Sequence, residues 1–143
     1  MKDIAHAIGP HHERTFANSR AFRFLVCEYA EHIKRGFGDD EMSFCNESHV
    51  CYMMEGDTCI AAITWMYDPT RSAAWTLFSA VREDWRKHGL YTKMYQSVIG
   101  KAKQAGAIAI YSGVSVDNES MLSAYAKLGR TPMWYRTKRS LRP

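Results

Sequence analysis

The chain lacks an apolar run that could cross a membrane, since the ~20 consecutive apolar residues that a span needs occur nowhere in it. Its first residues, MKDIAHAIGPHH, also lack the apolar stretch and small-residue cleavage site of a signal peptide. Internal repeats and low-complexity linkers are missing as well. We therefore expect a cytoplasmic protein without a membrane partner.

Cysteine is scarce, with four in the chain, at Cys27, Cys45, Cys51 and Cys59. They form neither a CxxC pair nor the density of a disulfide scaffold, so we expect reduced and mostly buried thiols. The alternative is a zinc site made by the last three cysteines and His49. Its spacing matches no standard zinc pattern, and we expect no metal.

What the chain does contain is enough apolar sequence for one globular domain. Its 143 residues are 46% hydrophobic and 13% aromatic, which excludes disorder, and we expect a single domain over residues 1–143. The net charge of +4 is mild, with basic clusters at 82–88 and 136–142. A polyanionic ligand is compatible with this charge. Trp134 and Tyr135 beside the cations at 136–139 could stack on nucleic-acid bases, which makes a nucleic-acid binder a weaker alternative. An alternating strand at a sheet edge produces the same succession of aromatic and basic residues, and the segment lacks a groove-reading motif.

Hydrophobic periodicity predicts an α+β fold with a mixed, mainly antiparallel central sheet flanked by helices. Gly56 and Asp57 separate two strands as a hairpin turn, and glycines follow each predicted helix. Strands are predicted at 3–8, 50–55, 58–67, 73–81, 107–116 and 133–141, and helices at 13–35, 89–106 and 118–128. The first helix has an apolar stripe of Phe22, Leu25, Val26, Tyr29 and Ile33. The second has one of Leu90, Met94, Val98 and Ala102, with Tyr91, Tyr95 and Ile99 beside them.

The segment 81–91 joins the end of an apolar strand, a short basic loop and the start of a helix. Backbone N–H groups at a helix N-terminus lack intrahelical partners and lie at the positive end of the helix dipole, so they suit a pyrophosphate. Gly89 allows close approach, and Arg86, Lys87 and His88 add polar or positive side chains. A solvated turn is the alternative.

This segment and a second one downstream resemble the GNAT family of N-acetyltransferases. The family's loop pattern, Gln/Arg-x-x-Gly-x-Gly/Ala after a strand ending in Val, is found here as RKHGLY after Val81. The family's second pattern matches at Val114, Asn118, Tyr125, Lys127 and Gly129. Three residues depart from the two patterns: Tyr91, Met121 and Arg130. The resemblance covers about residues 50–141.

The resemblance implies a GNAT-like acyl-CoA N-acyltransferase fold and transfer of an acetyl group from acetyl-CoA to a primary amine of a small molecule or protein. It assigns the Val81 N–H to the thioester carbonyl, Asn118 to the pantetheine arm and Tyr125 to general acid catalysis. In the same way it assigns the pyrophosphate to the segment of Arg86, Lys87, His88, Gly89, Leu90 and Tyr91. As alternatives, Tyr125 is a core aromatic and Asn118 a helix cap.

Two parts of the reaction are left open by the sequence. Strand 73–81 carries no carboxylate, so Glu55, Asp68, Glu83, Asp84 or a water chain remains as the base. The acidic loop 39–41 borders the acceptor region by resemblance and would favour a cationic amine, unless it is only a solvated surface. The alternative to an enzyme is a non-catalytic acyl-CoA-binding or protein-binding module on the same fold. The oligomeric state is also open, and a homodimer is compatible with the sequence.

Overall fold

The computed structural model describes residues 4–8, 16–35, 49–113 and 118–132. The predicted last strand and the acidic loop lie outside these residues. The elements are β1 (Ile4–Ile8), α1 (Phe16–Lys34), β2 (His49–Glu55), β3 (Thr58–Asp68), β4 (Ala73–Val81), α2 (Leu90–Ala105), β5 (Ala109–Ser112) and α3 (Glu119–Lys127), with a short 3₁₀ turn at Glu83–Trp85.

The five strands form one sheet in the order β1-β2-β3-β4-β5. The first four strands pair antiparallel, and β4 pairs with β5 in parallel. The prediction of a mixed, mainly antiparallel sheet is therefore confirmed. The β2–β3 hairpin turns at Gly56 and Asp57, and Gly56 has a φ of 57°, which a residue without a Cβ adopts easily.

Helices cover both faces of the sheet, and β3 lies between them. β3 is buried continuously from Cys59 to Trp65, as expected for a strand covered on both sides. On one face α2 contributes Met94, Tyr95, Val98 and Ala102 to a core with Ala61, Ile63 and Trp65. On the other face α1 contributes Ala21, Phe24 and Leu25 to a core with Val50, Tyr52 and Ala62.

The predicted apolar face agrees with the buried residues in α2 but only in part in α1. Each buried residue of α2 belongs to the apolar stripe that the sequence predicts. In α1, Val26 is 56% exposed although it belongs to the predicted stripe, because the buried positions are Ala21, Phe24 and Leu25. No helix in the described part of the chain has the length and apolarity to cross a bilayer.

A bulge in β4 lies next to the place where the β4–β5 pairing ends. Thr64 of β3 faces Phe78 and Trp65 faces Thr76, so Leu77 is an extra residue in β4. The β4–β5 register ends at Thr76 and Ser112, whereas β4 continues to Val81. Within the described residues, this last part of β4 therefore has no neighbouring strand on the β5 side.

Candidate active site

The backbone of β4 beyond the bulge presents polar groups on the side away from β3. Arg82 N–H donates to the Ile60 carbonyl at 2.7 Å, so Arg82 belongs to a hydrogen-bonded position of the β3–β4 ladder. Because these positions alternate, the N–H and C=O of Val81 and Ser79 point away from β3. The sequence singled out Val81 but not Ser79, whose backbone groups point to the same side by strand alternation.

The connection from β4 to α2 leaves the start of that helix without a side-chain cap. Gly89 is the N-cap with a φ of 75°, and the Lys93 N–H to Gly89 carbonyl bond of 3.1 Å begins the helix. The N–H groups of Leu90, Tyr91 and Thr92 therefore have no intrahelical acceptor. Apart from its two chain neighbours, no atom of the described residues lies within 4 Å of an ideal Cβ on Gly89, so the space beside this helix start is open. This geometry suits an anion.

The basic residues of this connection serve two different regions. Arg86, Lys87 and His88 are exposed, and Arg86 Nε donates to the Val81 carbonyl at 3.0 Å. Arg82 turns instead toward α1 and the β2–β3 hairpin. Its Nε donates to the Cys59 carbonyl at 3.1 Å, and its guanidinium lies 5.0 Å from the ring centroid of Phe24. The basic cluster 82–88 is therefore divided in space.

Asn118 caps α3, which is one of the two roles that the sequence left open for this residue. Its Oδ1 accepts a hydrogen bond from Met121 N–H at 3.2 Å, and its carbonyl accepts one from Leu122 N–H at 3.0 Å. Because an amide side chain has separate acceptor and donor atoms, the cap leaves the Nδ2 donors for a second partner. Capping and ligand binding are thus compatible in this residue.

Tyr125 is partly buried in a group of tyrosines that joins α2 to α3. The ring centroids of Tyr91 and Tyr125 are 6.4 Å apart, and those of Tyr91 and Tyr95 are 6.0 Å apart with the rings stacked. Burial raises the pKa of Tyr91, and its interaction with Tyr125 raises this pKa further. The side chain of Tyr91 is turned toward these rings, so it leaves its backbone N–H available at the helix start.

Arg130, to which the sequence assigned no role, packs against the same tyrosines. Its guanidinium lies 4.4 Å from the ring centroid of Tyr125 and 5.5 Å from that of Tyr95. Its Nη1 donates to Ser112 Oγ at 2.8 Å and its Nη2 to the Ile110 carbonyl at 3.4 Å. In the sequence, Arg130 could have been noticed because it departs from the family pattern directly after Gly129.

The α1 face of β4 carries a second aromatic group that the sequence did not indicate. Phe78, directly after the bulge, makes edge-on contacts with Tyr29 at 5.1 Å and His32 at 5.3 Å between ring centroids. Trp75 packs on Tyr111 across the β4–β5 ladder with centroids 4.9 Å apart. These rings provide apolar and π surface beside the end of the paired ladder.

One of the candidate bases is far from this region. Asp68 pairs with Ala73 at the start of β4, whereas Val81 lies at its end. Its carboxylate accepts hydrogen bonds from the Thr70 N–H at 2.9 Å and from the Thr70 hydroxyl. The hydrogen bonds from Thr70 lower the pKa of Asp68. Asp68 therefore stabilises the β3–β4 turn.

The proposed zinc ligands Cys51 and Cys59 lie on opposite faces of the sheet, in different cores. Burial raises the pKa of Cys51 to about 12 and that of Cys59 to about 11, so neither is readily a thiolate. Cys45 is outside the described residues. A zinc site that includes both buried thiols is therefore wrong. In the described residues, no three His, Cys, Asp or Glu side chains come together as metal ligands would.

Comparison with known sequences connects this geometry to one family. Residues 13–129 match the family model described as the acetyltransferase (GNAT) family. Among curated protein sequences, none matches the chain.

Three solved structures illustrate the similarity of fold. A ribosomal-protein-alanine N-acetyltransferase from Brucella melitensis biovar Abortus 2308 aligns at 16% identity and a TM-score of 0.71, covering 98% of this chain and 99% of that one. An aminoglycoside acetyltransferase from an uncultured soil metagenomic sample, in complex with sisomicin, aligns at 13% identity and a TM-score of 0.67, covering 99% of this chain and 97% of that one. An aminoglycoside N-acetyltransferase in complex with CoA aligns at 15% identity and a TM-score of 0.62, covering 96% of this chain and 100% of that one. At these identities the likeness concerns the fold alone.

Proposed function

Because the chain belongs to the acetyltransferase (GNAT) family, we propose that it transfers the acetyl group of acetyl-CoA to a primary amine. The acceptor is a small molecule or a protein. The single observation that supports this most is the course of β4. Its backbone N–H groups at Ser79 and Val81 point away from β3 beyond the last β4–β5 pair, and the strand leads directly to the uncapped start of α2.

The described residues fit the diphosphate end of acetyl-CoA. The first N–H groups of α2 offer donors to its oxygens, and the open side of Gly89 lets them approach. Arg86, held through Nε by the Val81 carbonyl, keeps its terminal nitrogens for an anion. Lys87 and His88 are exposed beside it, and Leu90 packs on the core and anchors the helix start.

The described residues also supply groups for the transfer step. When bound, acetyl-CoA supplies an electrophilic thioester carbon. The Val81 N–H donates to the carbonyl oxygen, where negative charge develops as the amine attacks. Tyr125 donates its phenolic proton to the departing sulfur, and the Asn118 amide donates to the pantetheine arm. The amine must arrive unprotonated, and the proton that it loses on acylation passes to Glu55, Glu83, Asp84 or a chain of water molecules.

Mass spectrometry of amines incubated with the protein and acetyl-CoA tests this function. The panel contains aminoglycosides and peptides with an N-terminal alanine. These acceptors are chosen because two proteins of similar fold are described as an aminoglycoside acetyltransferase and a ribosomal-protein-alanine N-acetyltransferase. We expect the added mass of one acetyl group on at least one acceptor, together with release of free CoA thiol. Heat-denatured protein provides the background for spontaneous acetylation.

The panel also distinguishes the enzyme from a binding module. A protein that binds acetyl-CoA in calorimetry but acetylates no member of a broad amine panel would contradict the proposal and favour the non-catalytic module. Acetylation of aminoglycosides alone or peptides alone would identify the acceptor class.

A further inference from the structure

The end of α3 brings Arg130 back to Tyr125. Gly129, with a φ of 72°, donates its N–H to the Ala126 carbonyl at 3.1 Å, and Arg130 donates its N–H to the Tyr125 carbonyl at 3.0 Å. This pair of hydrogen bonds is a Schellman motif, which commonly places the residue after the glycine against the side chain at the start of the turn. Here the two side chains are a guanidinium and a phenol.

Arg130 also connects Tyr125 to the sheet. Its two terminal nitrogens donate to Ser112 Oγ and to the Ile110 carbonyl of β5. Ser112 Oγ is hydrogen bonded to Thr76 Oγ1, and Thr76 and Ser112 form the last rung of the β4–β5 ladder. An uninterrupted chain of contacts therefore runs from the last paired residue of β4 to the ring of Tyr125.

The charge of Arg130 faces the tyrosines. Arginine keeps its charge in proteins, and a guanidinium over an aromatic ring is attracted by the ring's electron-rich face. Within the described residues, no carboxylate lies at salt-bridge distance from this guanidinium. Burial raises the pKa of Tyr91 and of Tyr95, and the charge of Arg130 acts on both in the opposite direction. The same cation therefore favours a phenolate nearby.

We propose that Arg130 is a positioning residue, which holds the phenol of Tyr125 at the last β4–β5 rung and stabilises the phenolate left when that phenol gives up its proton. This inference rests on the proposed acetyl transfer and adds to it a residue at which the chain departs from the family pattern. In the step, the Tyr125 O–H bond breaks and the proton moves to the sulfur of the departing thiolate. Solvent then returns a proton to the phenolate.

The replacement Arg130→Phe tests the positioning role, because it keeps a ring against Tyr125 and removes the charge and the two bonds to β5. We expect kcat to fall by ~10² or less, the range in which misplaced catalytic groups act, while the KM for acetyl-CoA stays within a few-fold. Arg130→Lys keeps a cation beside the ring of Tyr125, so this variant should retain more of the wild-type kcat than Arg130→Phe does.

Three comparisons make the result decisive. Lys103→Met removes an exposed cation from α2 and controls for loss of one positive charge. Tyr125→Phe alone should lower kcat by ~10²–10⁴, and adding Arg130→Phe to it should cause little further loss, because the two residues act as a unit. Circular dichroism and thermal unfolding verify that each variant is folded.

Each outcome bears on one of the two proposals. Equal losses from Arg130→Phe in the wild type and in the Tyr125→Phe background, or an Arg130→Lys variant that loses as much kcat as Arg130→Phe, would overturn the positioning role and leave acetyl transfer standing. Wild-type protein without turnover on any amine in the panel would instead overturn the proposed function.

Discussion

Two residues that depart from the family pattern come together in this fold. Tyr91 and Arg130 are distant in sequence, yet both contact Tyr125, the first through its ring and the second through its guanidinium. An additional phenol next to the proposed acid is joined by a cation that favours the ionised form of a phenol. The departures are therefore best understood together, as parts of one cluster.

Local contacts could be predicted for individual residues, and distant contacts could not. The positive φ of Gly89 and the cap by Asn118 follow from residue type and position along the chain. The contacts of Ser112 with Thr76 and with Arg130 join residues 36 and 18 positions apart. They depend on which strands become neighbours, and hydrophobic periodicity does not contain that information. The roles of Val81 and Tyr125 remain predictions.

His49 should make the stability of the protein depend on pH. Its ring stacks on that of Trp65 with centroids 4.4 Å apart, and burial lowers its pKa below the ordinary 6.5. The unfolded chain takes up this proton near pH 6.5, before the folded protein does. The contribution of the neutral ring to stability is therefore present above that pH and is lost as the pH falls toward the folded-state pKa.

Urea unfolding of the wild type and His49→Phe checks this effect. The aromatic replacement keeps a ring against Trp65 and cannot titrate. As the pH falls below about 6.5, we expect the unfolding free energy of the wild type to decrease relative to that of His49→Phe. Measurements at about pH 8, where histidine is neutral in both states, isolate the packing effect. A constant difference across this range would show that His49 does not titrate differently on folding.

At the scale of elements, the bulge of β4 and the start of α2 determine the geometry of the proposed acetyl-CoA site. The sequence predicted the order of every described strand and helix, because the apolar period changes from strand to helix at Gly89. It did not predict the extra residue Leu77, since a bulge does not interrupt the apolar pattern enough to be recognised. The strand predicted over 107–116 is shorter in the described residues, at Ala109–Ser112.

Gly89→Val should reduce the thermal stabilisation that acetyl-CoA gives. A ligand that binds only the folded state stabilises it by about 2.7 kcal/mol at a hundredfold excess over its Kd. A valine at this position would place a branched side chain in the open space beside the start of α2, where we propose that the diphosphate lies. We expect differential scanning fluorimetry to show a much smaller shift of Tm with acetyl-CoA in this variant.

Gly56→Val is the matched control for this measurement. Gly56 also has a positive φ, at 57° against 75° for Gly89, and an ideal Cβ on either glycine meets no atom within 4 Å. Both replacements should therefore lower the Tm of the free protein by backbone strain, and only Gly89→Val should reduce the shift with ligand. An equal shift of Tm with acetyl-CoA in the two variants would show that the diphosphate binds elsewhere.

At the scale of the whole molecule, the proposed reaction brings together ligands of opposite charge. The net charge is +4, and three exposed basic side chains, Arg86, Lys87 and His88, surround the start of α2. The acidic loop 39–41 follows α1 in sequence, and aromatic rings of α1 contact β4 at Phe78. We expect acetyl-CoA to be attracted to the basic side and a cationic amine to the acidic loop.

Replacing Asp39, Asp40 and Glu41 with Asn, Asn and Gln tests the second attraction. At low salt the KM for a cationic acceptor should rise. The difference from the wild type should shrink as salt is added, because exposed charges act over about a Debye length, ~10 Å at 0.1 M. The KM for acetyl-CoA should not rise in the variant. Equal acceptor kinetics at low ionic strength would identify the loop as an ordinary solvated surface.

The succession of strands in the sheet has a consequence for the protein during its synthesis. Strands β1 to β4 are neighbours in chain order, so this meander and α1 can assemble before β5 and α3 leave the ribosome. Tyr125 and Arg130 belong to the last described segment, and the proposed acetyl-CoA site is therefore completed late. A ligand held there would slow the unfolding of the finished protein without accelerating the early steps of its folding.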